Sequence, residues 1–313
     1  MEASRRFYET HVKKLIEEHF APYAGRIAVG IAGEGSDCFG YDDLMSRDHD
    51  FGTGICLWVT SGDMEVFGRR LSIAYNELID GLPGNTLSER LRARRGVMTI
   101  NDFYSNVLGI SCDAEKGALS EREWLSLDHS CLATAVNGEV FQDDLGVFSA
   151  FRNYLLAYYP ERVFRIRLAE KLHAFSAALQ VNYARCMTRK DFVAARLCQT
   201  QGISAAMELF FLLKRVYPPY YKWTYRRLSE LDQGGRFATL IRRLSEAHCD
   251  EALWQHAWEG VPYQPDRLNF KDETVELAEN LAFEVLSMMR EQKLTEGADP
   301  YLECYVDEVT RRP

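Results

Sequence analysis

Between residues 4 and 20 apolar side chains recur every three to five positions, at Tyr8, Val12, Leu15, Ile16 and Phe20. That spacing predicts an amphipathic helix, which Pro22 and Gly25 end. The next two apolar runs differ in kind. "RIAVGI" (26–31) and "ICLWVT" (55–60) are short, β-branched or aromatic and bounded by glycines, which predicts buried strands. Helical spacing returns over 64–80, with Ser61 or Asp63 as the cap and "GLPGN" as the stop. From 97 to 150 the pattern is mixed: "VMTI" and "GEVFQDD" predict strands, and the stretches around "DFYSNVL" and "EREWLSL" predict helical pieces.

After about residue 147 strand signals become few. Phe164, Leu168, Leu172, Phe175 and Leu179 step by three or four residues, one apolar stripe on a helix that begins just after Pro160. A second helix, or a pair broken near Gly202, is predicted over 190–216 and stopped by "YPPYYKW"; further helices follow at about 224–247 and 272–292. The expected fold class is α+β, with a sheet-containing domain over 1–150 and an α-helical bundle domain over 151–313. Tyr154, Tyr158 and Tyr159, near that boundary, are expected to pack between the two.

Composition narrows the picture little. The chain has 313 residues, 47% hydrophobic and 27% charged, which fits two globular domains. A net charge of −9 has the wrong sign for extensive phosphate neutralisation, so nucleic acid is an unlikely partner. No apolar run approaches the roughly 20 residues that span a bilayer. The N-terminal segment lacks the apolar stretch of a signal peptide, and a cytoplasmic location is expected. The cysteines at 38, 56, 112, 131, 186, 198, 249 and 304 form no CxxC pair, so reduced thiols in apolar surroundings are expected rather than a zinc site. Cys38 is set apart by its neighbours.

Those neighbours are "GEGSDCFGYDDLMSRDHDFG" (33–52), the connection between the first two predicted strands. Gly33-Glu34-Gly35-Ser36 can turn sharply and bring a ligand close to bare backbone, and N–H groups with a serine hydroxyl suit phosphate oxygens. Asp48 and Asp50 stand two apart before a strand, so their side chains share one face. Two such charges repel unless a cation lies between them, and Mg2+ held by carboxylates and substrate phosphates meets that need. An EF-hand reading fails, because the oxygen spacing, the glycine at position 6 and the glutamate at position 12 do not align. Asp37, Asp42 and Asp43 suit turn-making bonds to their own backbone.

Gly35-Ser36 followed by Asp48-x-Asp50 resembles the signature of the nucleotidyltransferase superfamily with the DNA-polymerase-beta-like fold, which includes the aminoglycoside adenylyltransferases. More closely, this stretch with "NGEVFQDDLGVF", "YYPERV", "NYARCMTRKD" and "YPPYYKW" resembles the bacterial family catalogued as domain of unknown function 4037, over most of residues 1–235. The resemblance implies a mixed sheet with flanking helices, a helical second domain, and transfer of a nucleoside monophosphate, AMP from ATP foremost, to an acceptor hydroxyl with release of pyrophosphate.

Carried over by residue, Gly35 and Ser36 hold the β- and γ-phosphates, and Asp48 and Asp50 ligate Mg2+ or Mn2+. Two such ions activate the acceptor oxygen and stabilise the leaving group. A third carboxylate is expected on a later strand, with Asp102, Asp128 and Asp143 as candidates and Asp128 favoured. His49 stands where the superfamily carries an apolar residue; a structural role and a phosphate contact both remain open. Arg47 either reaches the triphosphate or pairs with a neighbouring acid. Arg189 and Lys222, beside aromatic rings, either bind phosphates from the second domain or lie on solvated helix ends. The acceptor, a small molecule or a protein, is expected between the domains. Two other classes compete: a nucleotide-binding regulator without turnover, and an antitoxin-like protein that modifies a partner.

Overall fold

A computed structural model describes residues 1–43, 54–83, 89–254 and 268–311. The chain divides into two compact units, Met1–Tyr158 and Tyr159–Pro313.

The first unit is α+β. Its N-terminal helix runs over residues 2–19, with one wide turn at Tyr8–Val12, and buries Phe7, Tyr8, Val12 and Ile16. Among the described residues four short strands follow, β1 (Ala28–Ile31), β2 (Cys56–Val59), β3 (Gly96–Thr99) and β4 (Glu139–Gln142), in the spatial order β3-β2-β1-β4. The sheet is mixed: β1 is antiparallel to β2 and to β4, while β2 and β3 are parallel. β1 and β2 are buried throughout, because helices cover both faces; their sequences are accordingly continuous apolar runs without alternation.

On one face Val29, Leu57 and Val59 pack with Val12, Ile16, Phe67, Leu71 and Tyr75 from the helices at 2–19 and 61–80. On the other face Trp58 stacks on Phe148 at 3.8 Å between ring centres and meets Phe103 edge-on at 5.3 Å. The helix after β2 is capped one residue before Ser61 and three before Asp63. Thr60 is its N-cap, accepting the Asp63 N–H, and the Asp63 carboxylate in turn takes the Thr60 hydroxyl and Arg26.

The second unit is helical. The expected stripe of Phe164, Leu168, Leu172, Phe175 and Leu179 is wholly buried on a helix that starts at Glu161. Gly202 does not interrupt its helix, which runs unbroken over Phe192–Lys214. A Cβ there would lie 2.1 Å from Leu179 Cγ, so the glycine admits a neighbouring helix rather than ending its own. The predicted 224–247 helix is two, Tyr221–Leu231 and Arg236–Glu246, parted at Gln233-Gly234-Gly235. Glu273–Glu291 is the next long helix. Tyr154 is engaged inside the first unit, where its hydroxyl accepts Trp124 Nε1 and the Leu119 N–H, both at 3.0 Å. Tyr159 packs edge-on against Tyr217 within the second.

Candidate functional site

The register brings four chain ends to one end of the sheet. Gly30 pairs with Cys56, Cys56 with Gly96, and Ile31 with Glu139, so β1 finishes where β2, β3 and β4 begin. The turn Gly33–Ser36 leaves β1 at this end. Tyr75 fixes the approach to β2, its hydroxyl donating to the Ile55 carbonyl at 3.0 Å and accepting the Ile55 N–H at 2.9 Å.

Three sets of bonds hold the turn. The Asn137 side chain makes a two-way amide clamp with Gly33, accepting its N–H at 2.9 Å and donating to its carbonyl at 2.8 Å. The Gly138 N–H adds a bond to the Cys38 carbonyl. From below comes Arg95, only 4% exposed, at the entry to β3. Its guanidinium donates to the carbonyls of Ala32 and Glu34, to the Asp37 carboxylate at 3.2 Å and to Cys38 Sγ at 3.1 Å. Gly35, at φ +129, is the point where only glycine fits: a Cβ would meet Asp37 Oδ1 at 2.2 Å.

The electrostatics are those of a cation beneath an exposed main-chain turn. Burial disfavours the Arg95 charge, but the facing Cys38 and Cys56 sulfurs and the Asp37 carboxylate more than offset this and hold it protonated. Burial pushes the Cys38 and Cys56 thiols well up, so neither is a nucleophile. Arg95 Nε is buried with no hydrogen-bond partner among the described residues.

The expected ligands are distributed as follows. Gly35 sits at the turn, and Ser36 Oγ donates to Asp42 Oδ1 at 2.7 Å. Arg47, Asp48, His49 and Asp50 lie outside the described residues. Of the three candidates for a third acid, none is on a strand. Asp102 follows β3 and Asp143 follows β4, so both sit at the sheet end opposite the glycine turn. Asp143 is moreover spent as a cap, accepting the N–H groups of Gly146 and Ser149. Asp128 caps the helix His129–Val136. Burial raises its pKa, and bonds from Ser130 together with the nearby His129 more than reverse this, holding it ionised below the usual range. Burial, and then Asp128 and Glu34, raise the pKa of the Cys131 thiol.

Arg189 and Lys222 belong to the second unit. Arg189 is exposed at the end of the helix Tyr183–Thr188, and Lys222 lies in the first turn of Tyr221–Leu231 with Nζ 5.5 Å from the Trp223 ring centre. Sequence reasoning missed Arg95 and Asn137. "RARR" ahead of β3 is an unremarkable basic run, and Asn137-Gly138 signals a turn without naming what the amide grips.

Fold and site together define an α+β unit with an exposed glycine turn over a buried arginine, followed in the chain by a helical unit. The family model described as "Domain of unknown function (DUF4037)" matches residues 124–224, the family that the sequence resembles. The matched stretch includes Asn137-Gly138, Arg189 and Lys222 but not the glycine turn. No curated protein and no solved structure matches the chain.

Proposed function

We propose that the protein transfers a nucleoside monophosphate from an NTP, ATP foremost, to a hydroxyl of a small molecule or a protein, releasing pyrophosphate. The observation that carries the reading is the Gly33–Ser36 turn, exposed at Glu34 and Gly35, over buried Arg95 at the sheet end where β2 begins. Arg95 draws the Ala32 and Glu34 carbonyls inward. The N–H groups of Glu34, Gly35 and Ser36 then serve the β- and γ-phosphates, joined by the Ser36 hydroxyl once it leaves Asp42. Arg95 is a positioning residue and a fixed countercharge here, acting through the turn.

The oxygen donors nearest this turn are already engaged. Glu34 pairs with Arg94, Asp37 with Arg95, and Asp42 with Ser36; among the described residues no three acids, histidines or cysteines are set to hold a metal. In this proposal the ion rests on Asp48 and Asp50, whose two-residue spacing suits Mg2+ or Mn2+. When bound, it supplies charge neutralisation on the triphosphate and its leaving group. Arg47, Arg189 and Lys222 are further phosphate ligands in this proposal, and Asp128 is the favoured third acid.

Incubation of the chain with labelled ATP, Mg2+ or Mn2+ and a cell extract is expected to release pyrophosphate and label an acceptor. Asp50→Asn is expected to lower turnover by roughly 10² or more with an unchanged melting temperature. Nucleotide binding without pyrophosphate release, in any extract, overturns the transferase in favour of a regulator that binds without turnover. One observation favours that second reading: β3, the strand beside β2, reads Gly-Val-Met-Thr and carries no acid. Label on a protein band would identify the acceptor as a partner protein.

A further inference from the structure

Arg152 is a half-buried cation of the first unit. It lies on the helix Val147–Leu156, one turn after Phe148, whose ring stacks on Trp58 of β2 and so fixes the helix to the sheet. From there one guanidinium nitrogen, Nη2, donates to three successive carbonyls, those of Val136 at 2.6 Å, Asn137 at 3.3 Å and Gly138 at 3.5 Å. These belong to the end of the helix His129–Val136 and the corner beyond it. Carbonyls at a helix end have no partner in their own helix and attract a cation, so the contact is favourable. Among the described residues no carboxylate pairs with Arg152, and its buried Nε has no hydrogen-bond partner.

The same corner grips the glycine turn. The Asn137 amide clamps Gly33 both ways, and the Gly138 N–H bonds the Cys38 carbonyl at 2.9 Å. Main-chain carbonyls on both segments are thereby occupied: those of Ala32 and Glu34 by Arg95, that of Gly33 by Asn137, and those of 136–138 by Arg152. Carbonyl dipoles pinned by donors oppose an anion at the turn less than free ones do.

We propose that Arg152 is a positioning residue for phosphate binding, acting through Asn137 by holding the Asn137–Gly138 corner against the glycine turn. The role rests on that turn being the phosphate cradle of the transferase. Without the guanidinium the three carbonyls lose their donor, the corner loosens, and the Asn137 amide no longer meets Gly33 at a fixed place.

The test has two arms, both on the full-length chain. The first uses no nucleotide and follows amide hydrogen exchange by NMR. In Arg152→Met the Gly33 amide is expected to exchange roughly tenfold faster, while the Ile55 amide, bonded to the Tyr75 hydroxyl, keeps its natural rate. A general loss of stability would speed both. The second arm titrates a non-hydrolysable ATP analogue into Arg152→Met, Asn137→Ala and the double variant. Each single change is expected to weaken binding roughly tenfold, and the double no more than Asn137→Ala alone, because one residue acts through the other. Arg152→Lys, which restores a charged donor, is expected to recover part of both losses. Should Arg152→Met fail to fold, Arg152→Gln takes its place in both arms. Unchanged Gly33 exchange, equal acceleration at Gly33 and Ile55, or additive losses in the double variant overturns the proposal. A natural chain that binds no analogue counts against the transferase instead, and the exchange arm then still decides whether Arg152 holds the turn.

Discussion

Arg95 in the first unit and Asp272 in the second are both almost fully buried charges, at 4% and 1% exposure, but their surroundings differ. Asp272 accepts from neutral donors alone: Tyr183 Oη at 3.0 Å, Trp254 Nε1 at 2.7 Å and the Thr274 N–H at 2.8 Å. It is a clip that starts the helix Glu273–Glu291 and ties Trp254 and Tyr183 to it. Arg95 holds carbonyls and a carboxylate of a single turn, and that turn is exposed. An anion enclosed by neutral dipoles is finished as a structure. A cation under an open main-chain turn still has charge to offer a ligand, so the two buried charges should separate stability from binding.

The largest effect is expected from Arg95→Met, which leaves Asp37 and two carbonyls without their donor. It should cost about 3–5 kcal/mol in urea unfolding and abolish binding of a non-hydrolysable ATP analogue. Intact binding in a folded variant would break the comparison. Asp272→Ala should cost about 2–4 kcal/mol and leave analogue affinity unchanged, since the three donors it strands have no ligand role in the proposal. Asn137→Ala sharpens the first case. Loss of the two-way clamp on Gly33 should cost about 1–2 kcal/mol and weaken analogue binding more than that stability change explains, as titration calorimetry would show.

The smallest effect concerns Glu279, buried beside Gln180. Its carboxyl is raised first by burial and then by Asp299, with the Gln180 bond opposing. A raised folded-state pKa means that its contribution is full below the ordinary glutamate value of 4.5 and is lost as pH rises through the folded value. Relative to Glu279→Gln, the natural chain should therefore lose stability with rising pH over that window, by at most about 1.4 kcal/mol per pH unit. A flat difference between the two denaturation profiles would refute the assignment.

The elements were largely legible. Helices at 2–19 and from Glu161, and strands β1 and β2, stand within two residues of where the apolar spacing put them. The misreadings were at glycines and caps. Gly202 looked like a break because a sequence shows the missing side chain but not Leu179, which fills its place. Thr60 escaped notice because Ser61 and Asp63, beside it, satisfy the same residue preference.

The amino-acid order by itself determined the alternation of buried runs and turns, because periodicity and glycine placement act locally. It also brought Gly35, Ser36, Asp48 and Asp50 into one short stretch. Only the tertiary structure decided which groups share an end of the sheet. Register placed Asp102 and Asp143 at the far end and brought Arg95 and Asn137, 60 and 102 positions beyond Gly35, beneath and beside the turn. Strand pairing and burial are long-range: a guanidinium becomes a countercharge only when a folded sheet removes it from water and aims it at another segment's carbonyls.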